Sequence, residues 1–241
     1  MKNLEFLSNG KKLKGSIIFP QALNEKNPTI LFVHGWTSAK ERSYQYAKGL
    51  AELGYISFLF DMRGHGESEG DINTFTTKDF LDDIIIAYDY LVKVKGADKD
   101  NISAIGSSLG GYLVALLVAK RKVKNLVLRA PADYDNYQFE QLKHLYGGEI
   151  PEVMAWRKQP KQPNETYALQ AVNNFSGNIL IIESEKDDSI PPQTIENYIN
   201  AVKDKNKLTH IIMKNVPHSI KEGKFRDEVE RILVDWFKNK I

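Results

Sequence analysis

A serine between two glycines is the first candidate for chemistry in this chain. Residues 106–110 read Gly-Ser-Ser-Leu-Gly, which fits the pattern Gly-x-Ser-x-Gly only with Ser108 at its centre. A strand-like apolar run precedes the motif, and a helix-like run follows it. In such a tight turn the glycines relieve steric crowding, and the serine hydroxyl stands clear of the backbone. The chemistry would be nucleophilic attack by Ser108, and a turn that only requires small residues is the alternative interpretation.

A serine hydroxyl is a weak nucleophile at neutral pH and needs a base that a carboxylate holds in place. His218 follows the last predicted strand, at the sheet edge where ligands and catalytic groups collect in open α/β folds. The segment ESEKDDSIPP follows the preceding strand and supplies four carboxylates, those of Glu183, Glu185, Asp187 and Asp188. Three complementary groups therefore share one predicted sheet edge, although a surface loop histidine is the alternative for His218 taken alone.

Strand and helix patterns alternate along most of the chain. Asn9-Gly10 favours a hairpin turn between the first two strands, and Thr76 with Asp79 forms a capping-box pattern at a helix start. Apolar runs predict strands at residues 13–19, 29–35, 55–61, 101–107, 125–131, 178–184 and 208–213, and helices at 44–53, 109–119 and 225–237. The alternation predicts an α/β fold with a mostly parallel central sheet and helices on both faces.

Residues 131–176 interrupt this alternation. The segment has no strand pattern and is rich in prolines and aromatic residues. We expect a single domain over residues 1–241, with 131–176 as a short lid inserted within it. Three of its aromatic side chains are candidates for a substrate pocket, which is usually apolar, and packing of the lid onto the domain is the alternative. They are Tyr134, Tyr137 and Trp156.

Composition narrows the function classes. The chain has 33 basic and 31 acidic residues and no dense basic tract, so neither nucleic acid nor a membrane is expected as the main partner. Cysteine is absent, which excludes disulfides, thiolate metal sites and cysteine nucleophiles. With no metal-ligand cluster and no phosphate-binding loop, we expect no cofactor and no metal. The N-terminus has no signal-peptide pattern, so a cytoplasmic location is expected. The oligomeric state is left open.

Five motifs occur in an order that is itself informative. They are LFVHGWTS, DMRGHGES, GSSLGG, SEKDDSIP with Ser184 where glycine is usual, and the late histidine of NVPHSI. Along nearly its whole length the chain resembles the α/β-hydrolase superfamily, in which serine, acid and histidine follow one another in this order. It is most similar to small serine esterases of the feruloyl or cinnamoyl esterase and monoacylglycerol lipase groups.

The resemblance implies roles for individual residues. Ser108 would be the nucleophile and His218 the base. Asp187, rather than Asp188, would orient the imidazole. The backbone N–H groups of Trp36 and Leu109 would form the oxyanion hole, and the ring of Trp36 would wall the substrate pocket. The expected activity is hydrolysis of a small or medium acyl or aryl ester, a small-molecule substrate, through an acyl-enzyme intermediate.

Two other hypotheses for the function remain open at this point. A thioesterase or an acyl-peptide hydrolase would use the same acyl-enzyme step, because selectivity among these substrates resides in the pocket. A non-catalytic binding protein on a hydrolase scaffold is a further alternative, since a fold does not determine a function. A fluorophosphonate would not label such a protein.

Overall fold

The computed structural model describes residues 1–148, 150–221 and 223–240. Within them one sheet of eight strands has the order β1-β2-β4-β3-β5-β6-β7-β8. The strands are β1 (Lys2–Ser8), β2 (Lys11–Ile18), β3 (Asn27–Val33), β4 (Ile56–Phe60), β5 (Ala97–Ser107), β6 (Asn125–Arg129), β7 (Asn178–Lys186) and β8 (Leu208–Pro217). Strands β3 to β8 pair in parallel, and β1 and β2 add an antiparallel edge. The predicted α/β fold with a mostly parallel sheet is confirmed.

The antiparallel edge depends on the predicted hairpin. Asn9 and Gly10 both have positive φ, 45° and 79°, and Ser8 pairs with Lys11 across the turn. Positive φ at both central residues is the geometry of a type I′ turn, whose twist matches that of the flanking strands. The local sequence therefore sets the register of the first two strands.

Helices cover both faces of the sheet, as predicted. They are α1 (Tyr44–Glu52), α2 (Thr77–Leu91), α3 (Leu109–Leu117), α4 (Pro151–Arg157), α5 (Tyr167–Asn174), α6 (Pro192–Ala201) and α7 (Gly223–Phe237). The side chains of each strand alternate between two cores: Leu31 of β3 packs with α2 and α3, whereas Ile30 and Phe32 pack with α1 and α7. No helix of the described residues has the length and apolar character that a membrane span requires.

The segment between β6 and β7 contains α4, α5 and two short 3₁₀ helices, and its described residues contain no strand. Asp133 is buried at its base, where it accepts hydrogen bonds from the Tyr134 N–H (3.0 Å) and the Thr166 hydroxyl (3.1 Å). Burial raises the pKa of Asp133 to about 7, against the hydrogen bonds and the charges of Lys161 and Arg157. The segment is thus anchored by a carboxyl group that titrates near neutrality.

Candidate active site

The turn that carries Ser108 is sterically tight. Strand β5 ends at Ser107, α3 begins at Leu109, and Ser108 between them has φ 54° and ψ −118°. A Cβ atom at Gly106 would lie 2.1 Å from the Gly110 carbonyl oxygen, and one at Gly110 would lie 2.3 Å from the Val33 oxygen. The two glycines of the motif are therefore required by the packing of the turn against itself and against β3. The strained backbone of Ser108 presents its side chain at the carboxyl edge of the sheet.

The structure brings together three of the predicted residues from three separate loops. The Ser108 Oγ lies 3.0 Å from the His218 Nε2, and the His218 Nδ1 lies 2.7 Å from the Asp187 Oδ2. A carboxylate only accepts hydrogen bonds, so the Nδ1 carries the proton and donates it to Asp187. The Nε2 is then free to accept from the Ser108 hydroxyl. This is the tautomer that a general base requires.

The backbone holds the Asp187 carboxylate in place. Its Oδ1 accepts hydrogen bonds from the Ser189 N–H (2.9 Å) and the Ile190 N–H (2.7 Å), while its Oδ2 accepts from His218. The Asp187 side chain is 5% exposed. Asp188, by contrast, is exposed and accepts a hydrogen bond from the Ser189 hydroxyl (3.1 Å). The structure places Asp187, not Asp188, against the imidazole.

Both predicted oxyanion donors belong to backbone close to Ser108. Leu109 is the first residue of α3, so its N–H has no acceptor within the helix and lies at the positive end of the helix dipole. Gly35 packs against the turn, because a Cβ at this position would be 3.3 Å from the Ser108 Cβ. Trp36 follows Gly35 directly, and its backbone therefore passes beside Ser108. Their role as oxyanion donors remains a prediction.

His34 ties the loop that carries Trp36 to the end of β4. Its Nδ1 donates to the Gly35 carbonyl (2.8 Å), and its Nε2 accepts from the Met62 N–H (3.1 Å). Burial lowers the pKa of His34 to about 3, so the ring is neutral near pH 7. Both ring nitrogens are occupied by the backbone. His34 is therefore a structural residue and is not available as a second base.

Lys40 occupies the centre of a group of carboxylates near this loop. Its Nζ lies 2.9 Å from Glu41, 2.7 Å from Asp61 and 2.5 Å from Glu67. The oxygen atoms of these three acids are close enough together to hold a metal ion. Because the Lys40 ammonium group already lies among them, it offsets part of their charge and takes the place that a cation would need.

A cavity of about 310 Å³ opens beside Ser108 and His218. It extends over the face of the sheet that α1 and α7 cover, and Trp36 contributes to its wall. The ring of Trp36 also packs edge-to-face on Phe80, with the ring centroids 5.9 Å apart. Trp36 is thus among the residues that line the cavity, while its ring packs on Phe80, and its contact with a substrate remains a prediction.

The lid aromatics lie elsewhere. Tyr134 is buried, with the Lys143 Nζ 4.8 Å and the Arg157 guanidinium 5.0 Å from its ring centroid. Tyr137 is 66% exposed and lines a second cavity that lies away from Ser108. The Lys161 Nζ lies 3.8 Å from the centroid of the Trp156 ring, in a cation–π contact. The described residues around the Ser108 cavity include none of these three aromatics. The cation–π contacts of Tyr134 and Trp156 support the alternative of lid packing for these two residues.

Sequence reasoning missed the basic side of this cavity. Arg42, Arg129 and Arg226 all line it, together with Tyr46. A signal was available for Arg129, because it ends the otherwise apolar run NLVL, where a charged residue is unusual. No comparable signal marks Arg226, since a charged residue on an amphipathic helix normally faces water.

The fold and the site together define an α/β hydrolase. The sequence model of the prolyl oligopeptidase family matches residues 42–241, and the chain belongs to this family. Among curated proteins, it is 26% identical over 198 residues to the lysophosphatidylserine lipase ABHD12 of Bos taurus, covering 75% of this chain and 46% of that protein. It is 31% identical over 129 residues to the hydrolase LUC6 of Fusarium, covering 49% of this chain and 30% of that protein. The chain thus spans less than half the length of each.

Two solved structures share the fold over nearly the full length of both chains. Est1E from Butyrivibrio proteoclasticus with bound ferulic acid has a TM-score of 0.77, 18% identity and 98% coverage of each chain. DcsB in complex with its substrate analogue has a TM-score of 0.74 and 16% identity, and the match covers 100% of this chain and 99% of that chain. At 18% and 16% sequence identity, these similarities show a shared fold only.

Proposed function

We propose that the chain is a serine carboxylesterase that cleaves small or medium acyl or aryl esters through an acyl-enzyme intermediate. One observation carries the proposal: the continuous series of hydrogen bonds from Ser108 through His218 to Asp187, at 3.0 and 2.7 Å. The cavity beside Ser108 is of a size for a small ligand. An acyl carbonyl bound there would lie within reach of the hydroxyl.

The mechanism follows from the atoms of this series. The Ser108 Oγ attacks the carbonyl carbon while the His218 Nε2 takes its proton, and Asp187 stabilises the imidazolium that forms. The N–H groups of Trp36 and Leu109 bind the oxygen that becomes negative. Each such donor is worth on the order of 3 kcal/mol in the transition state. His218 then protonates the leaving alcohol, and water, activated by the same imidazole, hydrolyses the acyl-Ser108 ester.

Two similar proteins support an ester as the substrate class. ABHD12 is a lipase for lysophosphatidylserine, and Est1E holds ferulic acid. The family name favours one second candidate, an acyl-peptide hydrolase, because prolyl oligopeptidases are peptidases. The acylation chemistry at Ser108 is the same for an ester and an amide.

We also propose that residues 131–176 act as a lid within one domain spanning residues 1–241.

Labelling by a fluorophosphonate tests the nucleophile. We expect the purified protein to be labelled at Ser108, and the Ser108→Ala variant to lose both labelling and at least about 10³-fold of its activity on an activated ester. Ser107→Ala is the matched control for the register of the motif, because it removes the neighbouring hydroxyl, and it should still be labelled. Absence of labelling in the natural sequence would support a non-catalytic binding protein instead.

A substrate panel tests the class of acyl compound. Initial rates are compared for p-nitrophenyl esters of increasing chain length, methyl ferulate, acyl-coenzyme A and aminoacyl anilides. The proposal predicts the highest kcat/KM for an oxygen ester. A higher value for the thioester would make the protein a thioesterase, and a higher value for the anilide would favour the peptidase candidate.

A further inference from the structure

The cavity beside Ser108 is positively charged in a way that the reaction above does not use. Four basic residues line it, and the described lining residues include no aspartate or glutamate. The four are Arg42, Arg129, Lys221 and Arg226. They come from different parts of the chain: the loop after β3, the end of β6, the loop after β8 and helix α7. Packing of α1 and α7 on the sheet gathers them at one place.

Arg129 lies directly behind the proposed catalytic residues. Its Nη1 donates to the Ser107 hydroxyl (3.3 Å), and its Nη2 donates to the Ser184 hydroxyl (2.9 Å) and to the carbonyl of Pro217 (3.2 Å), the residue before His218. Its Nε is buried and has no hydrogen-bond partner among the described residues. Burial lowers the pKa of Arg129, and the charge of Asp187 opposes this effect.

In the described structure no carboxylate forms an ion pair with Arg129. A buried charge without a partner costs several kcal/mol, so such a group is usually compensated by a counter-ion. Neutral hydroxyl and carbonyl groups satisfy part of the guanidinium, and the carboxylate of Asp187 acts on its charge without forming an ion pair with it. The position is therefore suited to an anion that the protein itself does not supply.

Arg226, on helix α7, also has an unpartnered guanidinium nitrogen, because its Nε is buried without a hydrogen-bond partner in the described part of the chain. The nearby acids of α7 are engaged with helix α1, because the Gln45 Nε2 donates to Asp227 (2.7 Å) and to Glu230 (2.6 Å). These bonds engage both carboxylates with Gln45, although the charge of Glu230 still reaches Tyr46.

Tyr46 shows that the arginines converge. Burial raises the pKa of its hydroxyl, whereas the charges of Arg129, Arg226 and Arg42 each lower it and Glu230 raises it. All three guanidinium charges act on Tyr46, and all four residues line the same cavity. A phenol hydroxyl in this position is a hydrogen-bond donor for a bound oxyanion.

We propose that this arginine pocket, formed by Arg42, Tyr46, Arg129 and Arg226, binds an anionic group of the substrate, so that the preferred esters carry a carboxylate or a phosphate. Guanidinium groups bind both anions through paired, charge-assisted hydrogen bonds. The inference rests on the proposed esterase function, and it names the substrate class of that site. The cavity of about 310 Å³ would hold a short linker between the ester carbonyl and the charge.

Matched ester pairs test the preference and identify the anion. Monomethyl glutarate is compared with dimethyl glutarate, and 1-butyrylglycerol 3-phosphate with 1-butyrylglycerol. Within each pair the acyl group and alcohol of the reacting ester are the same, and the charged group is present in one member only. Dimethyl glutarate offers two equivalent esters, so its kcat/KM is divided by two before the comparison. We expect kcat/KM to be at least about tenfold higher for the charged member of one pair, and that pair shows whether a carboxylate or a phosphate is preferred. Equal or lower values for the charged member in both pairs would overturn the inference.

Arg226→Gln is the decisive variant, because Arg226 makes no contact with the Ser108–His218–Asp187 series. The ratio of kcat/KM for the charged and neutral esters should fall roughly tenfold or more, and Arg226→Lys should restore part of it. Arg231→Gln is the control, since it removes the same charge from an exposed position on the same helix. This control should leave both rates unchanged. An unchanged ratio in Arg226→Gln would refute the pocket.

Binding without turnover separates this inference from the esterase proposal. Glutarate and inorganic phosphate are titrated calorimetrically into Ser108→Ala and into Ser108→Ala with Arg226→Gln. Binding by the single variant that weakens at least about tenfold in the double variant supports the pocket even if no ester is hydrolysed. No binding of either anion, with esters hydrolysed normally, would remove the pocket and leave the proposed function intact.

Discussion

Asp187→Asn should inactivate the protein by reversing the tautomer of His218. In the native arrangement the Asp187 Oδ1 accepts two backbone N–H groups, from Ser189 and Ile190, and the Oδ2 accepts from the His218 Nδ1. An asparagine has only one acceptor oxygen. If its amide nitrogen faced the two N–H groups, both would be left unsatisfied, at about 1–3 kcal/mol each. The oxygen is therefore held on the loop side, and the NH₂ group faces His218.

This orientation has a direct consequence for the base. The NH₂ group can donate only to an unprotonated Nδ1, so the ring proton moves to the Nε2, which can no longer accept the Ser108 proton. For a serine hydrolase in which the wrong tautomer is imposed, the loss in kcat is roughly 10⁴-fold, about 5 kcal/mol of transition-state stabilisation. We expect a loss of this order for Asp187→Asn.

The assay compares kcat/KM on p-nitrophenyl butyrate for Asp187→Asn and Asp188→Asn, with the free energy of unfolding of each from urea titration. Asp188 is exposed and accepts a hydrogen bond from one serine hydroxyl, so Asp188→Asn should change activity less than about threefold. ¹⁵N spectra of His218 would report the tautomer directly. The reasoning is refuted if Asp187→Asn keeps more than about a tenth of the activity while folded, or if Asp188→Asn is the more damaging change.

Two further predictions concern stability. Gly106→Ala should lower the free energy of unfolding in urea by about 3 kcal/mol or more, because its Cβ would lie 2.1 Å from the Gly110 oxygen. Gly223→Ala is the control, since no described atom lies within 4 Å of a Cβ at that position. It should change the free energy of unfolding by less than about 1 kcal/mol. Asp133 has a folded-state pKa raised from 3.8 to about 7, so the folded protein binds the proton more tightly than the unfolded chain, and stability should fall as the pH rises from about 4 to 7. Over this pH range the change in the free energy of unfolding should be about 4 kcal/mol at most, and Asp133→Asn should flatten it. Urea unfolding at several pH values measures this change, and an equally steep pH profile in the variant would contradict the assignment to Asp133.

Much of the fold could be predicted because it depends on local patterns. The Asn9-Gly10 hairpin, the capping box at Thr76 and the apolar runs of the parallel strands each involve residues close together in the chain. The motif around Ser108 belongs only partly to this class: Gly106 relieves crowding within the turn, whereas Gly110 is required by the packing of the turn against β3. Resemblance added the choice of Asp187, which the residue types alone left open among four carboxylates, and the structure supplies its backbone partners.

The chain by itself thus determined the order of strands and helices and the turn that raises Ser108, because near neighbours in sequence decide which backbone conformations are accessible. Tertiary packing decided the rest. Arg129 and Arg226 line one cavity only because α7 packs on the sheet. Tyr134 likewise packs between Lys143 and Arg157, which no local sequence pattern connects to it. The charge and the solvent exposure of a site depend on residues from distant segments of the chain, so they are established only when the chain folds.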